Sequence, residues 1–215
     1  MSGLGALPAL GLGFGLGAVA GMPLGVINIA IVDAATAGRR RFAEGLGLGG
    51  AAADAIHAAL AFAGVGRVMT ADPAVVRGLA IGAAVAIIAY AVIAWRRRER
   101  AGDPQTGPQT GDAAPRMRGA AAGFVLTLPN PGALGAWVFV AAAVWRDAAP
   151  RDAAVIAGGV CAGSALWFTT LARWVSRWHR AHPEATTRSR TLELFPRVAL
   201  VVLIAIAIAG VVRSL

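Results

Sequence analysis

The sequence predicts an all-α polytopic membrane protein with six transmembrane helices arranged as two inverted three-helix repeats. Three observations support this fold class. The chain has 215 residues, of which 57% are hydrophobic and only 14% are charged, whereas a soluble domain carries about 25% charged residues. The apolar residues form six long runs separated by clusters of arginine. Two of these runs contain proline at positions that lie half a chain length apart.

The six runs are long enough to cross a bilayer, whose core of roughly 30 Å needs about 20 apolar residues per helix. In chain order they are 4–37, 42–66, 74–95, 119–145, 153–172 and 194–212. Five of them pass this test cleanly and a sixth passes with an interruption. Helices that are apolar on every face are not surface helices of a soluble fold.

The net charge of +9 comes from arginine, because the chain contains no lysine. A basic chain suits nucleic acid or a membrane surface, but the arginines lie between apolar runs, which favours the membrane and no nucleic-acid partner. Fifteen of the 20 arginines fall in the loops after the first, third and fifth runs. The positive-inside rule therefore predicts that these loops are cytoplasmic and that both termini lie outside. The abundance of Ala, Gly and Arg suggests a GC-rich bacterial coding sequence, and hence the inner membrane.

Three segments follow from this pattern: a first repeat at 1–95, a flexible cytoplasmic loop at 96–118 and a second repeat at 119–215. The loop contains Pro-Gln-Thr-Gly twice in succession, and Pro and Gly at this density resist helix formation. Three spans per half is an odd number, so the two halves must have opposite topology.

Proline is expected to interrupt the first span at Pro23, because its ring removes a backbone donor and clashes with the preceding turn. Gly25 adds backbone freedom, and Asn28 is close enough to bond freed backbone groups. The alternative explanation, for this interruption and for the one in the fourth span, is an ordinary proline kink.

The fourth span is expected to break at Pro129 and Pro131. Pro131 disfavours the α conformation at Asn130, so a new helix should start there with Asn130 as its N-cap and Gly132 in its first turn. Inverted repeats with matching broken helices are typical of a transport site near the membrane midplane. Two helix N-termini would meet there, and both attract an anion such as a carboxylate.

The chain resembles the lysine exporter (LysE/RhtB) family in an ordered set of motifs that covers nearly its whole length. The segment 22–28 resembles that family's first-helix Pro-x-Gly-Pro-x-Asn motif, and 39–45 resembles its basic turn leading to Gly. The segment 49–54 resembles its Gly-rich second helix ending in Asp, and 123–131 resembles its Gly-Phe…Asn-Pro motif.

This resemblance implies a secondary transporter, driven by the proton-motive force, that exports amino acids or related small metabolites. Two departures bear on the substrate: Val26 stands where the family usually has a second proline, and Pro129 is an added proline. The wider superfamily also handles metal ions and lipid-related cargo. The implied partners are a small amino-acid-like solute, protons and the lipid bilayer, with homo-oligomerisation left open.

Charged residues within spans are costly and suggest function. Asp54 lies near the middle of the second span, and His57 lies one turn later on the same face. We expect this pair to carry the coupling proton or to hold a substrate ammonium group, and a purely structural pairing of Asp54 is the alternative. Asp33 is a candidate gate or, alternatively, an interfacial partner of Arg39 or Arg40. Glu44 is expected only to complement a helix N-terminus.

Two other classes compete with a transporter. Ser164 with His57 could form an intramembrane enzyme, but no Gly-x-Ser-x-Gly motif is present. A scaffold subunit without transport is the other alternative. No cofactor or metal is expected. Cys161 stands alone, which excludes a cysteine-pair carrier.

Overall fold

The computed structural model describes residues 5–22, 25–100, 114–144, 149–182 and 201. The described chain is built of α-helices and their connections. In order, the helices are α1 (Ala6–Ala20), α2 (Val26–Thr36), α3 (Arg40–Phe62), α4 (Val65–Ala71), α5 (Pro73–Arg100), α6 (Ala114–Thr127), α7 (Pro131–Val144) and α8 (Pro150–Ala181).

Three helices are long and apolar enough to cross a membrane, namely α3, α5 and α8. A fourth crossing is formed by α6 and α7 if the pair, which bends by 73°, counts as one broken span. The predicted first span consists of two short apolar helices, α1 and α2, of 15 and 11 residues. The predicted sixth span at 194–212 lies outside the described residues apart from Val201. The chain is thus a multi-pass membrane protein whose described secondary structure is all α-helical.

Two helix pairs run in the same direction and touch through glycine. In the first pair, Gly13 of α1 lies against Ile156 of α8 and Gly17 lies against Val160. In the second, Gly45 of α3 contacts Arg116 of α6. A Cβ at any of these glycines would collide with backbone of the partner helix. Small residues therefore allow the backbones to approach closely, as they do in membrane helix pairs generally.

The two glycine-lined pairs are joined by α3 and α8, which cross in opposite directions. Phe168 of α8 packs on Gly47 and Gly50 of α3, and Gly50 also meets Ile27 of α2. One buried apolar cluster joins α2, α3, α5, α6 and α8, and a second joins α1, α3, α7 and α8. Because α3 and α8 contribute to both clusters, they form the centre of the bundle.

Two element boundaries differ from those expected. The predicted loop at 96–118 is helical at both edges, since α5 continues to Arg100 and α6 starts at Ala114, while 101–113 lies outside the described residues. The fifth span, expected to end at residue 172, continues as helix to Ala181. Trp174 is 65% exposed on this extension, which agrees with a tryptophan at the membrane interface.

The glycine contacts predict a stability difference between two matched substitutions. Gly49→Val would drive a side chain into the backbone of Ala120 in α6, whereas a Cβ added at Gly135 in α7 would meet no described atom of another helix within 4 Å. We expect the first change to cost at least about 2 kcal/mol through overpacking, and the second to be close to neutral. Thermal unfolding of both variants in detergent measures this, and equal melting temperatures would contradict the observed α3–α6 contact.

Candidate functional site: two helix breaks and the polar side chains between them

The first break separates α1, which ends at Ala20, from α2, which begins at Val26. Pro23 lies outside the described residues. Asn28 is 3% exposed, and its Nδ2 donates to the backbone oxygen of Gly21 at 2.8 Å. The expected bond from Asn28 to freed backbone is therefore present. Gly25 precedes α2 in an extended conformation and has no side chain with which to cap the helix.

The second break separates α6, which ends at Thr127, from α7, which begins at Pro131. Asn130 caps α7 as expected: its Oδ1 accepts hydrogen bonds from the backbone N–H groups of Gly132 at 3.0 Å and Ala133 at 3.3 Å. Pro131 has no N–H group to satisfy. The first backbone donors of α7 are consequently occupied by the chain itself, and this distinguishes α7 from α2.

A histidine on α3 hydrogen-bonds to the backbone at the second break. His57 is 2% exposed, and its Nε2 lies 2.9 Å from the backbone oxygen of Leu128. Because a carbonyl only accepts, Nε2 carries the proton and donates to it. The other ring nitrogen, Nδ1, is buried and has no hydrogen-bond partner among the described residues. The expected pair with Asp54 is thus not joined by a direct hydrogen bond.

Asp54 instead interacts with α7 and α8. Its carboxyl group takes part in hydrogen bonds with the side chains of Ser164 and Trp137. Ser164 is fully buried, and its Oγ lies 3.2 Å from the backbone oxygen of Gly17 in α1. Asp54 is therefore connected, through one hydroxyl group, to the last turn of α1 before the first break.

An indole on α8 completes the connection to that break. Trp167 packs directly on Gly21, where a Cβ would lie 2.7 Å from its Cδ1. Its Nε1 is buried without a partner among the described residues. We call Trp167, Ser164, Asp54 and His57 the polar bridge, because these four side chains lead from the first break to the second.

The gate candidate Asp33 forms the interfacial pair that the sequence suggested. It is 1% exposed, and its Oδ2 lies 3.4 Å from Arg39 Nη2. Tyr90 of α5 places its Oη 3.5 Å from the same carboxylate and 3.2 Å from the backbone oxygen of Ala30. These contacts tie α2 to α5 at the arginine-rich end of the bundle.

The sequence understated Glu44, which does more than complement a helix N-terminus. This carboxylate is 1% exposed and pairs with arginines from three helices. Arg40 Nε and Arg173 Nε both lie 3.1 Å from its Oε1, and Arg116 pairs with its Oε2. Glu44 therefore fastens α3, α6 and α8 together at the end where the loop arginines cluster.

A cavity of about 290 Å³ lies near the same end, between α5 and α6. Arg39, Phe42 and Arg118 line it on one side, and it reaches Leu126, two residues before the second break. Its walls are otherwise mainly apolar, and no acidic side chain is among the described residues that line it. The cavity thus lies between the basic end of the bundle and the second break.

The structure also bears on the alternative chemistries. Ser164 points to Gly17 and Asp54, while His57 bonds Leu128, so these two side chains do not form a nucleophile–base pair. Within the part of the chain that the structure describes, no group of three or more His, Cys, Asp and Glu side chains is arranged to hold a metal ion.

The family is decided by comparison with known proteins. The sequence model of the LysE type translocator family matches residues 18–211. The chain belongs to this family. Members of the LysE type translocator family are transporters and not enzymes, so the chain is a membrane transporter. No curated protein and no solved structure matches it.

Sequence reasoning missed Ser164 and Trp137 as partners of Asp54. The sequence suggests Ser164 only as a nucleophile and assigns no role to Trp137. A usable signal was present, because a serine inside a span needs a hydrogen-bond partner. What the sequence could not supply was the identity of that partner, since it lies more than a hundred residues away.

The cap at the second break predicts a stability change. Asn130→Ala removes the acceptor for two backbone donors of α7 and should cost about 1 kcal/mol. Asn130→Asp retains an acceptor oxygen at the same place and should be nearly neutral. Circular dichroism melts of the purified variants test this, and it would be refuted if Ala and Asp behaved alike.

The Glu44 cluster predicts a second, larger difference. Glu44→Gln leaves three arginines facing a neutral amide, whereas Asp152→Asn removes a buried acid whose ion pair with Arg151 is 3.8 Å long. We expect the Glu44 variant to lose several degrees more in melting temperature, because its carboxylate joins three helices. A larger loss for the Asp152 variant would contradict this.

Proposed function

We propose that this LysE type translocator exports amino acids or related small carboxylate-bearing metabolites across the cytoplasmic membrane in exchange for protons. The single observation that carries the proposal is the polar bridge, which places buried and partly buried polar side chains between two helix breaks. Irregular backbone at membrane depth is tolerated only where it lies inside protein or lines a polar cavity. Buried ionisable groups in such places mark substrate or proton pathways.

The packing supports an inverted repeat as the basis of alternating access. Gly13 and Gly17 of α1 correspond to Gly119 and Gly123 of α6, 106 residues later. Their partner glycines correspond as well, at an offset of 114 residues: Gly45 and Gly49 of α3 match Gly159 and Gly163 of α8. The α1–α8 pair and the α3–α6 pair are therefore the same crossing built twice.

The correspondence extends to the side chains at the centre. Phe168 lies 114 residues after Asp54 and packs on Gly47 and Gly50. Asp54 in turn interacts with Cys161 and Ser164, which lie 114 residues after those glycines. The two halves thus use equivalent positions in opposite directions, as expected for halves that rock about a shared site.

A carboxylate is best received at the first break. Asn130 already occupies the first donors of α7, whereas Gly25 leaves the start of α2 without a side-chain cap. The helix dipole favours an anion there. Among the predicted binding residues, we therefore assign substrate contact to Gly25 and Asn28, and assign Asn130, Pro131 and Gly132 to shaping the second break.

Asp54 is the proposed site of the exchanged proton or of a substrate ammonium group. It is the acid at the centre of the polar bridge, and the indole of Trp137 lies beside it. The ion pairs of Asp33 and Glu44 close the arginine-rich end, which the positive-inside rule assigns to the cytoplasm. In this arrangement the inner entrance opens when those ion pairs separate.

Transport in proteoliposomes tests the proposal. The purified protein would be reconstituted, loaded with a panel of amino acids, other carboxylates, divalent metal ions or lipid-related solutes, and given an imposed pH gradient. We expect gradient-driven efflux of a carboxylate-bearing solute, and a loss of about a hundredfold or more in Asp54→Asn, the scale of a lost general acid–base group.

Asp72→Asn serves as the matched control, because Asp72 is exposed in the connection before α5. Full gradient-driven efflux by Asp54→Asn would remove Asp54 from the mechanism. Transport confined to metal ions or lipid-related solutes would replace the proposed substrate class.

A further inference from the structure

The Ser164 hydroxyl faces two acceptors but has one proton. Its Oγ lies 3.2 Å from the backbone oxygen of Gly17, and it also takes part in a hydrogen bond with the Asp54 carboxyl. A hydroxyl group can donate once and accept from other groups at the same time. Which of the two acceptors receives the proton therefore depends on whether Asp54 can itself donate.

The two states of Asp54 give opposite answers. When Asp54 is protonated, its O–H donates a hydrogen bond to Ser164 Oγ, and the Ser164 hydroxyl continues to donate to the backbone oxygen of Gly17. When Asp54 is ionised, it only accepts and competes for the Ser164 proton, since a hydrogen bond to a charged group is stronger than one to a neutral carbonyl. The bond between Ser164 and Gly17 is then lost.

The hydrogen bond between Ser164 and Gly17 lies at the crossing of α1 and α8. Gly17 lies where α1 and α8 touch backbone to backbone, and Gly159 and Gly163 of α8 face α1 in the same way. The α1–α8 crossing lies at the end of the bundle opposite the Glu44 cluster. Of the two equivalent crossings, α1–α8 and α3–α6, the α1–α8 crossing is the one that the arginine distribution places toward the outside.

We propose that Ser164 is the positioning residue that couples proton binding at Asp54 to closure of the outer α1–α8 crossing. This inference rests on the proposed function, because it assigns Asp54 the exchanged proton. Proton uptake from the outside closes the crossing over the site, and proton release toward the inside frees Ser164 to leave Gly17. The direction agrees with export driven by inward proton movement.

Few other titratable groups face Asp54. His57 lies one turn further along α3, and the Cys161 thiol of α8 interacts electrostatically with Asp54. The elements α1 and α7 contain no titratable side chain, and α7 contributes the indole of Trp137. Among the groups facing the Asp54 carboxyl, Ser164 is the one whose hydrogen bond also reaches Gly17.

Amide hydrogen exchange tests the coupling without a substrate. At pH 8, the segment 14–21 of α1 should exchange about threefold to fivefold more slowly in Asp54→Asn than in the wild type, the ratio that one neutral hydrogen bond supports. Ser164→Ala should abolish this difference. Ser176→Ala, which removes another buried serine hydroxyl of α8, should preserve it. Segment 42–50 of α3 serves as the internal reference.

A second measurement avoids Ser164 substitutions, in case that variant does not fold. In the wild type, the exchange rate of segment 14–21 relative to segment 42–50 should fall as the pH is lowered, and in Asp54→Asn the ratio should stay constant. A constant ratio in the wild type, or an Asp54→Asn effect that survives in Ser164→Ala, overturns the proposal.

Transport separates this inference from the proposed function. If the wild type shows gradient-driven export, solute efflux by Ser164→Ala should lose most of its dependence on the pH gradient, and Ser176→Ala should behave like the wild type. Undiminished gradient dependence in Ser164→Ala overturns the role of Ser164 alone. An absence of solute transport alongside the expected amide exchange pattern overturns the proposed function alone.

Discussion

Backbone hydrogen bonding at membrane depth is the constraint on which the rest of this structure depends. Proline and glycine interrupt two apolar helices where no bulk water can replace the lost bonds. Polar side chains satisfy backbone groups at both interruptions: the buried Asn28 bonds Gly21, the buried His57 bonds Leu128, and the partly buried Asn130 caps α7. The polar residues inside the bundle are therefore needed structurally before they can serve transport.

The same constraint explains the glycines. A buried polar group can reach a backbone carbonyl of another helix only if the two helices lie very close. The α1–α8 crossing brings Gly17 within reach of Ser164 because glycine removes the side chains that would separate them. Glycine at these positions therefore permits both the close packing of the helices and the hydrogen bond between them.

The two halves share their packing but differ in charge, and this difference gives the molecule a direction. Glu44 and its three arginines fasten α3 to α6 and α8 at one end. The equivalent position in α8 is Gly158, where a Cβ would meet no described atom of another helix within 4 Å. Ion pairs therefore join the helices at the Glu44 end, whereas the α1–α8 crossing is held by glycine packing and by the hydrogen bond of Ser164 to Gly17.

Much of this could be read from the order of residues alone. Apolar runs long enough to cross a bilayer indicate a helical membrane protein. Proline removes a backbone donor wherever it occurs, and Asn before proline is a good N-cap. The helical class, both breaks and the cap at Asn130 are therefore local properties of the sequence. The motif order likewise indicated the family. Element ends were less predictable, and α8 runs nine residues past its expected end because its arginines and tryptophans are compatible with an interfacial helix.

Only the tertiary structure decided the hydrogen-bond and ion-pair partners of the polar side chains. Asp54 and His57 share a helical face, as their spacing requires, yet they bond Ser164, Trp137 and Leu128 rather than each other. Glu44 finds arginines on three helices. A side chain's spacing fixes its direction on its own helix, but its hydrogen-bond partner depends on which other helix packs there. That packing follows from glycine contacts between residues far apart in the sequence, such as Gly45 with Arg116 and Gly17 with Val160.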